Sequence, residues 1–128
     1  MNVSKKIFFL LLITTSVFAS DIYESISNSI KSGDAKQLSS SFGNTIDLTV
    51  IDKENVYSKS QAELIIKDFF SKNPPKSFSI LHKGSSPEGT QYVIGTLVTT
   101  NNKTFRISFY LKNSEGKNIL HELRIENK

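Results

Sequence analysis

Apolar and polar positions along the chain change period several times, and each change marks an element. Ile7 to Ile13 is an unbroken apolar run behind Lys5 and Lys6. Beyond it Ile22, Ile26 and Ile30 recur every four residues. That stripe predicts an amphipathic helix over 21–32 with Asp21 as its N-cap. Ser32-Gly33-Asp34 stops it, because Gly33 can take the left-handed C-cap and Asp34 can cap a second helix. Ala35 to Phe42 reads as that short second helix, ended by Gly43-Asn44. The period then drops to two: Ile46, Leu48 and Val50 alternate with Asp47 and Thr49, as in a half-buried strand. Asp52-Lys53-Glu54 turns the chain, and Asn55-Val56-Tyr57 returns as a strand. Ser58 and Gln61 make a Ser-x-x-Gln capping box. The helix behind it has the apolar face Ala62, Ile65, Ile66, Phe69 and Phe70, and ends at Asn73-Pro74-Pro75.

From there on the pattern is β, with strands expected at 77–84, 90–100, 103–112 and 117–126. Asn101-Asn102 suits a two-residue primed turn, and Ser114-Glu115-Gly116 a three-residue loop with Gly116 left-handed. Those turns set a register. Val98 falls opposite Phe105, Ile94 opposite Phe109, Phe109 opposite His121 and Ile107 opposite Leu123. Gly84 opposite Thr90 sets His82 beside Tyr92. One face then carries Phe78, Ile80, Tyr92, Ile94, Val98 and the odd-numbered apolar residues of the last two strands, and the three helices cover it. The other face is polar except for a row formed by Leu81, Val93, Tyr110 and Leu120, with Leu97 nearby.

The N-terminal run changes the picture of charge and destination. Two lysines, seven apolar residues, and small side chains at Val17 and Ala19 form a secretory leader with cleavage expected after Ala19. The run falls far short of the ~20 residues that span a bilayer. The expected organisation is therefore a leader, 1–19, and one domain, 20–128, the length at which a chain holds one core. The leader takes two of the 16 Lys and Arg, leaving 14 against 12 Asp and Glu, a net charge of +2. There is no Lys/Arg run, so nucleic acid is not an expected partner. The chain has no cysteine. This excludes disulfides, thiol chemistry, zinc-thiolate sites and lipid attachment through an N-terminal Cys. The expected location is the periplasm or the medium, without a lipid anchor and with no membrane contact after cleavage.

Two helices, a hairpin, a third helix and a four-stranded meander resemble the nuclear transport factor 2-like fold. The chain more closely resembles a family of small exported bacterial proteins of unknown function with this fold. Ser32-Gly33-Asp34, the Ala62–Phe70 helix, Phe78–Gly84 (FSILHKG) and Tyr92–Leu97 (YVIGTL) carry the resemblance, which covers 21–128. It implies an α+β architecture in order α-α-β-β-α-β-β-β-β, with the helices packed in the concave face of a strongly curved, mainly antiparallel sheet. It also implies sheet-to-sheet pairing of copies. None of these segments is a catalytic motif, and this scaffold hosts many functions.

Enzymes of that superfamily work in the mouth of the cone, so the candidate pocket residues are those expected to face inward: His121, Tyr92, His82 and Thr96. His121 would be an acid, a base or a ligand anchor there, or a core histidine bonded to a helix carbonyl. The two histidines lie three strands apart, ~14 Å at the strand spacing, too far to share a metal. No metal and no other cofactor is expected. Asp47 has the wrong phase for an inward base. Arg106, Glu122 and Arg124 cluster on the outer face, where a solvated charge group is the ordinary reading. The sequence contains no GxSxG, HExxH, Walker, GxGxxG or EF-hand signature. The expected function is a non-enzymatic exported binding or assembly module. It would pair as a homodimer through Leu81, Val93, Tyr110, Leu120 and Leu97 on the outer sheet face. A small-pocket enzyme or carrier, holding a small apolar ligand inside the cone, is the alternative.

Overall fold

The computed structural model describes residues 18–128; the charged and apolar parts of the leader, and Val17 before its cleavage site, lie outside the described residues. Three helices, α1 (Phe18–Ser32), α2 (Ala35–Ser39) and α3 (Lys59–Lys72), pack on one face of a six-stranded sheet. The strands are β1 (Phe42–Val50), β2 (Lys53–Ser58), β3 (Pro75–Ser85), β4 (Gln91–Thr99), β5 (Thr104–Ser114) and β6 (Lys117–Asn127). Their spatial order is β2-β1-β6-β5-β4-β3, with only β1 and β6 parallel. Element order and sheet type are those expected.

Local signals explain most boundaries. Gly33 takes φ 68° and Asp34 Oδ1 accepts from the Gln37 amide at 3.0 Å, so the α1–α2 break is a C-cap and then an N-cap. The Ser58/Gln61 capping box opens α3 as read. Helix α1 begins at Phe18, upstream of Asp21, which is inside the helix rather than its cap. Helix α2 ends at Ser39, and Phe42 opens β1. There Phe42 pairs with Leu120 of β6 and is buried, a gain that outweighs one more helical turn.

Two turns differ from expectation, and they reverse the face of β4 and of the start of β6, where a bulge restores Leu123 and Ile125 to the expected side. The β4–β5 connection has three residues, closed by Thr99 N–H to the Lys103 carbonyl at 2.9 Å, with Asn102 left-handed at φ 62°. The β5–β6 turn has two, Glu115 and Gly116, at φ 53° and 80°, the primed geometry. Each loop is one residue away from its expected length, and one residue of slip exchanges the faces. Leu97 therefore opposes Phe105 and Val93 opposes Phe109. Across β5–β6, Leu120 opposes Leu111 and Leu123 opposes Phe109, with His121 looped out as a bulge between Leu120 and Glu122. A second bulge leaves Leu81 unpaired in β3.

The helix-covered face consequently holds Phe78, Val93, Leu97, Phe105, Ile107, Phe109, Leu111, Leu120, Leu123 and Ile125, all buried. Gly95 lies on this face because the Phe78 ring occupies the space of a β-carbon: an added Cβ would sit 2.6 Å from that ring. Phe69 of α3 meets Phe105 edge-on at 5.0 Å and Phe70 at 5.9 Å. These three phenylalanines and Phe109 are all buried on the helix side.

Candidate functional site

On the outer face four rings on neighbouring strands form one line; Tyr92 pairs directly with Tyr110, whereas Gly84 and not His82 is opposite Tyr92, so His82 reaches it diagonally. His82 stands on β3, Tyr92 on β4, Tyr110 on β5, and the bulged His121 on β6. Ring centroids succeed one another at 5.5, 6.3 and 6.4 Å. His82 Nε2 lies 3.1 Å from the Tyr92 hydroxyl, which orders that end of the row. The Tyr92 ring rests on the backbone of Gly84, where an added Cβ would fall 2.4 Å from the hydroxyl oxygen. Beyond the rings the line continues into carboxylates. Glu122 pairs with Tyr110, Asp47 pairs with Glu122, and Val56 at the sheet edge pairs with Asp47. Ile94, Thr96, Val98 and Ile119 flank the row, all half-buried.

This end of the face is electrostatically tense. Burial pushes the His121 imidazole below the usual histidine range; Lys112 adds to the shift and Asp47 opposes it. Burial lifts the Glu122 carboxyl above the ordinary carboxylate range, and repulsion from Asp47 and Glu54 adds to this while Arg124 opposes it. His121 Nε2 and Asp47 Oδ1 are buried without a hydrogen-bond partner. Arg124 lies 3.7 Å from Glu122 and 3.6 Å from Glu126, a partly solvated charge group. Arg106 falls opposite Glu126 rather than Arg124, so the two arginines do not converge.

The expected site residues are thus redistributed. Tyr92, His82 and His121 stand in one row and Thr96 lies farther along β4, all on the outer face and not in the cone, because the β4 register and the bulges at Leu81 and His121 turn them outward. Of the expected outer row, Val93, Leu97 and Leu120 point to the helices and are fully buried. Leu81 is exposed through its bulge, and Tyr110 stays at the centre of the outer face. Asp47 points outward as read from its phase, but its neighbours Glu122 and His121 emerge only from the observed register. Among the described residues no group of three metal-ligating side chains comes together.

A separate cleft of about 400 Å³ opens at one end of the sheet, where α3 ends, and had no signal in the sequence. Val50, Ile65, Phe69 and Phe105 form its floor, with Lys72, Asn73 and Lys103 at its rim.

The profile of a domain of unknown function, DUF4783, matches residues 23–126. The chain belongs to the DUF4783 family. A DUF4783 protein from Bacteroides ovatus is 30% identical over 81% of this chain and 93% of that one, with a TM-score of 0.75. Another from Bacteroides uniformis is 28% identical over 82% and 95%, with a TM-score of 0.76. A structure described as Rd1NTF2_04 with long sheet is 17% identical over 84% of this chain and 98% of that one, with a TM-score of 0.67, which is a likeness of fold alone. This DUF4783 chain thus has the nuclear transport factor 2-like fold, and its family carries no assigned activity. No curated protein matches it.

Proposed function

We propose that this DUF4783 protein is an exported, non-enzymatic assembly module that pairs with a second copy of itself through the outer sheet face. The observation that carries the reading is the four-ring row His82–Tyr92–Tyr110–His121, flanked by half-buried Ile94, Val98 and Ile119, on a face that no helix among the described residues covers. Contiguous apolar and aromatic surface of this kind marks an interaction site, and tyrosine combines contact area with a polar handle. Charge selects the occupant. The row starts at the His82 imidazole and ends at the His121 imidazole beside the Glu122 and Asp47 carboxylates. A twofold axis through Tyr110 lays the His82 end of each row over the Asp47 end of the other, a self-complementary contact. The burial of Phe69, Phe70, Phe105 and Phe109 on the helix side supports the same reading, as does the position of His82, Tyr92 and His121 on the outer face. Export rests on the leader pattern in 1–19.

Light scattering on the chain without its leader tests the pairing. Wild type gives a dimer mass, and the variant carrying Tyr110→Glu and Ile94→Lys gives a monomer mass with unchanged circular dichroism. A wild type that stays monomeric at high concentration, or a variant that dimerises as well as wild type, removes the outer face from the functional account.

A further inference from the structure

The sheet order sets two unlike groups at equal distances from Tyr110. Counted from β5, His82 on β3 is two strands away on one side and Asp47 on β1 is two strands away on the other. That is ~10 Å in each direction at the strand spacing. Both belong to one line. Tyr110 pairs with Tyr92, whose ring neighbours His82, and with Glu122, which pairs with Asp47. A twofold axis through Tyr110 therefore sets His82 of one copy over Asp47 of the other, twice in the dimer.

Each of the two groups lacks a charge partner in its own chain. His82 is exposed, and β3 is the sheet edge, so only β4 flanks it. The Tyr92 hydroxyl, 3.1 Å from Nε2, orients the ring and leaves Nδ1 for a second contact. Lys83, the next residue, sits over the Tyr23 ring of α1 at 5.0 Å. Among the described residues no carboxylate lies within ion-pair distance of His82, and no cation within that distance of Asp47. Asp47 Oδ1 is enclosed without a partner, so a contact from outside falls to Oδ2. The charged groups around Asp47 are Glu122 and His121 of β6, Glu54 of β2 and Lys112 of β5. Arg124 takes up Glu122 at 3.7 Å.

We propose that the pairing is proton-linked: the His82 imidazole of one copy meets the carboxylate of the partner's Asp47, and the copies hold each other more tightly when His82 is charged. The inference rests on the pairing through the outer face and names the contact that regulates it.

The direction follows from linkage. Histidine takes up its charge between about pH 8 and 5. A carboxylate that faces His82 in the dimer and not in the monomer favours the charged ring, so the dimer binds more protons than two separate chains. Affinity between the copies then rises as the pH falls through that range. His121 acts the other way, because the same axis lays it towards the partner's Tyr92 and pairing encloses it further. Burial and Lys112 already hold its imidazole below 6.5, so its opposition is confined to lower pH. Above that, the His82 contact decides.

Sedimentation equilibrium of the chain without its leader, at about pH 8 and about pH 6.5, tests the linkage. The wild-type dissociation constant is about tenfold lower at the lower pH, since the dimer holds the contact twice. In His82→Gln and in Asp47→Asn the constant is the same at both pH values, and the double variant changes it no further. His121→Phe keeps the tightening. A wild-type dimer with one constant at both pH values overturns the inference and leaves the pairing standing. Tightening that survives in His82→Gln, or that disappears in His121→Phe, assigns the proton elsewhere and overturns it too. A wild type that is monomeric at both pH values removes the pairing itself, and the inference with it.

Discussion

The two faces of the sheet share one backbone and divide its work. The helix side is packed with Phe, Leu, Ile and Val, and its aromatic contacts, Phe69 with Phe105 and Phe70, are between purely apolar rings. The outer side uses rings with polar edges, Tyr92, Tyr110, His82 and His121, and mixes them with Asp47, Glu122 and Arg124. Purely apolar burial stabilises a fold without specifying a partner. Rings with hydroxyls and nitrogens, half-exposed and next to carboxylates, are suited to a contact that must form and be discriminated. The contrast teaches that in this chain aromatic content alone does not separate the two faces; the polar edge of the ring does, and the face that carries it is the one proposed to pair.

The largest effect expected from this contrast is on stability. Phe69→Ala removes a buried ring from the helix side and costs ~3–5 kcal/mol in urea melts. Tyr110→Ala on the outer side costs ~1 kcal/mol or less at concentrations where the chain is monomeric, as expected away from a packed core. Equal losses at the two positions would erase the distinction between a packing face and a contact face.

How much of this contrast the sequence carries depends on the strand. β5 is legible, because Phe105, Ile107, Phe109 and Leu111 alternate with Arg106, Ser108, Tyr110 and Lys112, so only one phase is possible. β4 is not: Tyr92-Val93-Ile94-Gly95-Thr96-Leu97-Val98 is apolar in both phases, and turn length decides between them. The left-handed Asn102 makes that turn three residues, and left-handed Glu115 beside Gly116 makes the next one two. A left-handed Asn suits a turn of either length, and a left-handed Glu is uncommon, so the pattern did not announce the two lengths. In β6, Ile119-Leu120-His121-Glu122-Leu123 places both leucines inside only if one residue is looped out, and alternation has no provision for a bulge. The pattern therefore assigns His82, Tyr92, Thr96 and His121 to the helix side, whereas the structure sets them on the outer one. The cleft at α3 combines Asn73, Lys103 and Phe105, which lie in separate elements and share no pattern along the chain.

A smaller effect sharpens the acidic end of the outer face. The His121 imidazole is held below its unfolded value of 6.5, so the unfolded chain takes up the proton first. Its contribution to stability is present above pH 6.5 and is lost as the pH falls from there through the lowered folded value. Glu122 acts oppositely. Its raised carboxyl gives stability at pH below the unfolded carboxylate value, and that is lost as pH rises through the folded one. In His121→Phe the fold remains, and the acid-side decline that begins at 6.5 becomes shallower than in wild type. Melting temperatures of the two proteins from about neutral pH down to about pH 5 measure this. Parallel curves would show that His121 titrates as it does in the unfolded chain.

The pairing of the two rows is tested most directly by crosslinking across the twofold axis. The chain has no cysteine of its own, so introduced thiols report without background. His82→Cys and Asp47→Cys chains, each without the leader, are mixed and oxidised. Within one chain these positions are four strands apart, ~19 Å, beyond disulfide reach. With the axis through Tyr110, the mixture forms a covalent dimer in high yield and each variant alone forms little. No covalent dimer from the mixture, or the same yield from either variant alone, would contradict the account.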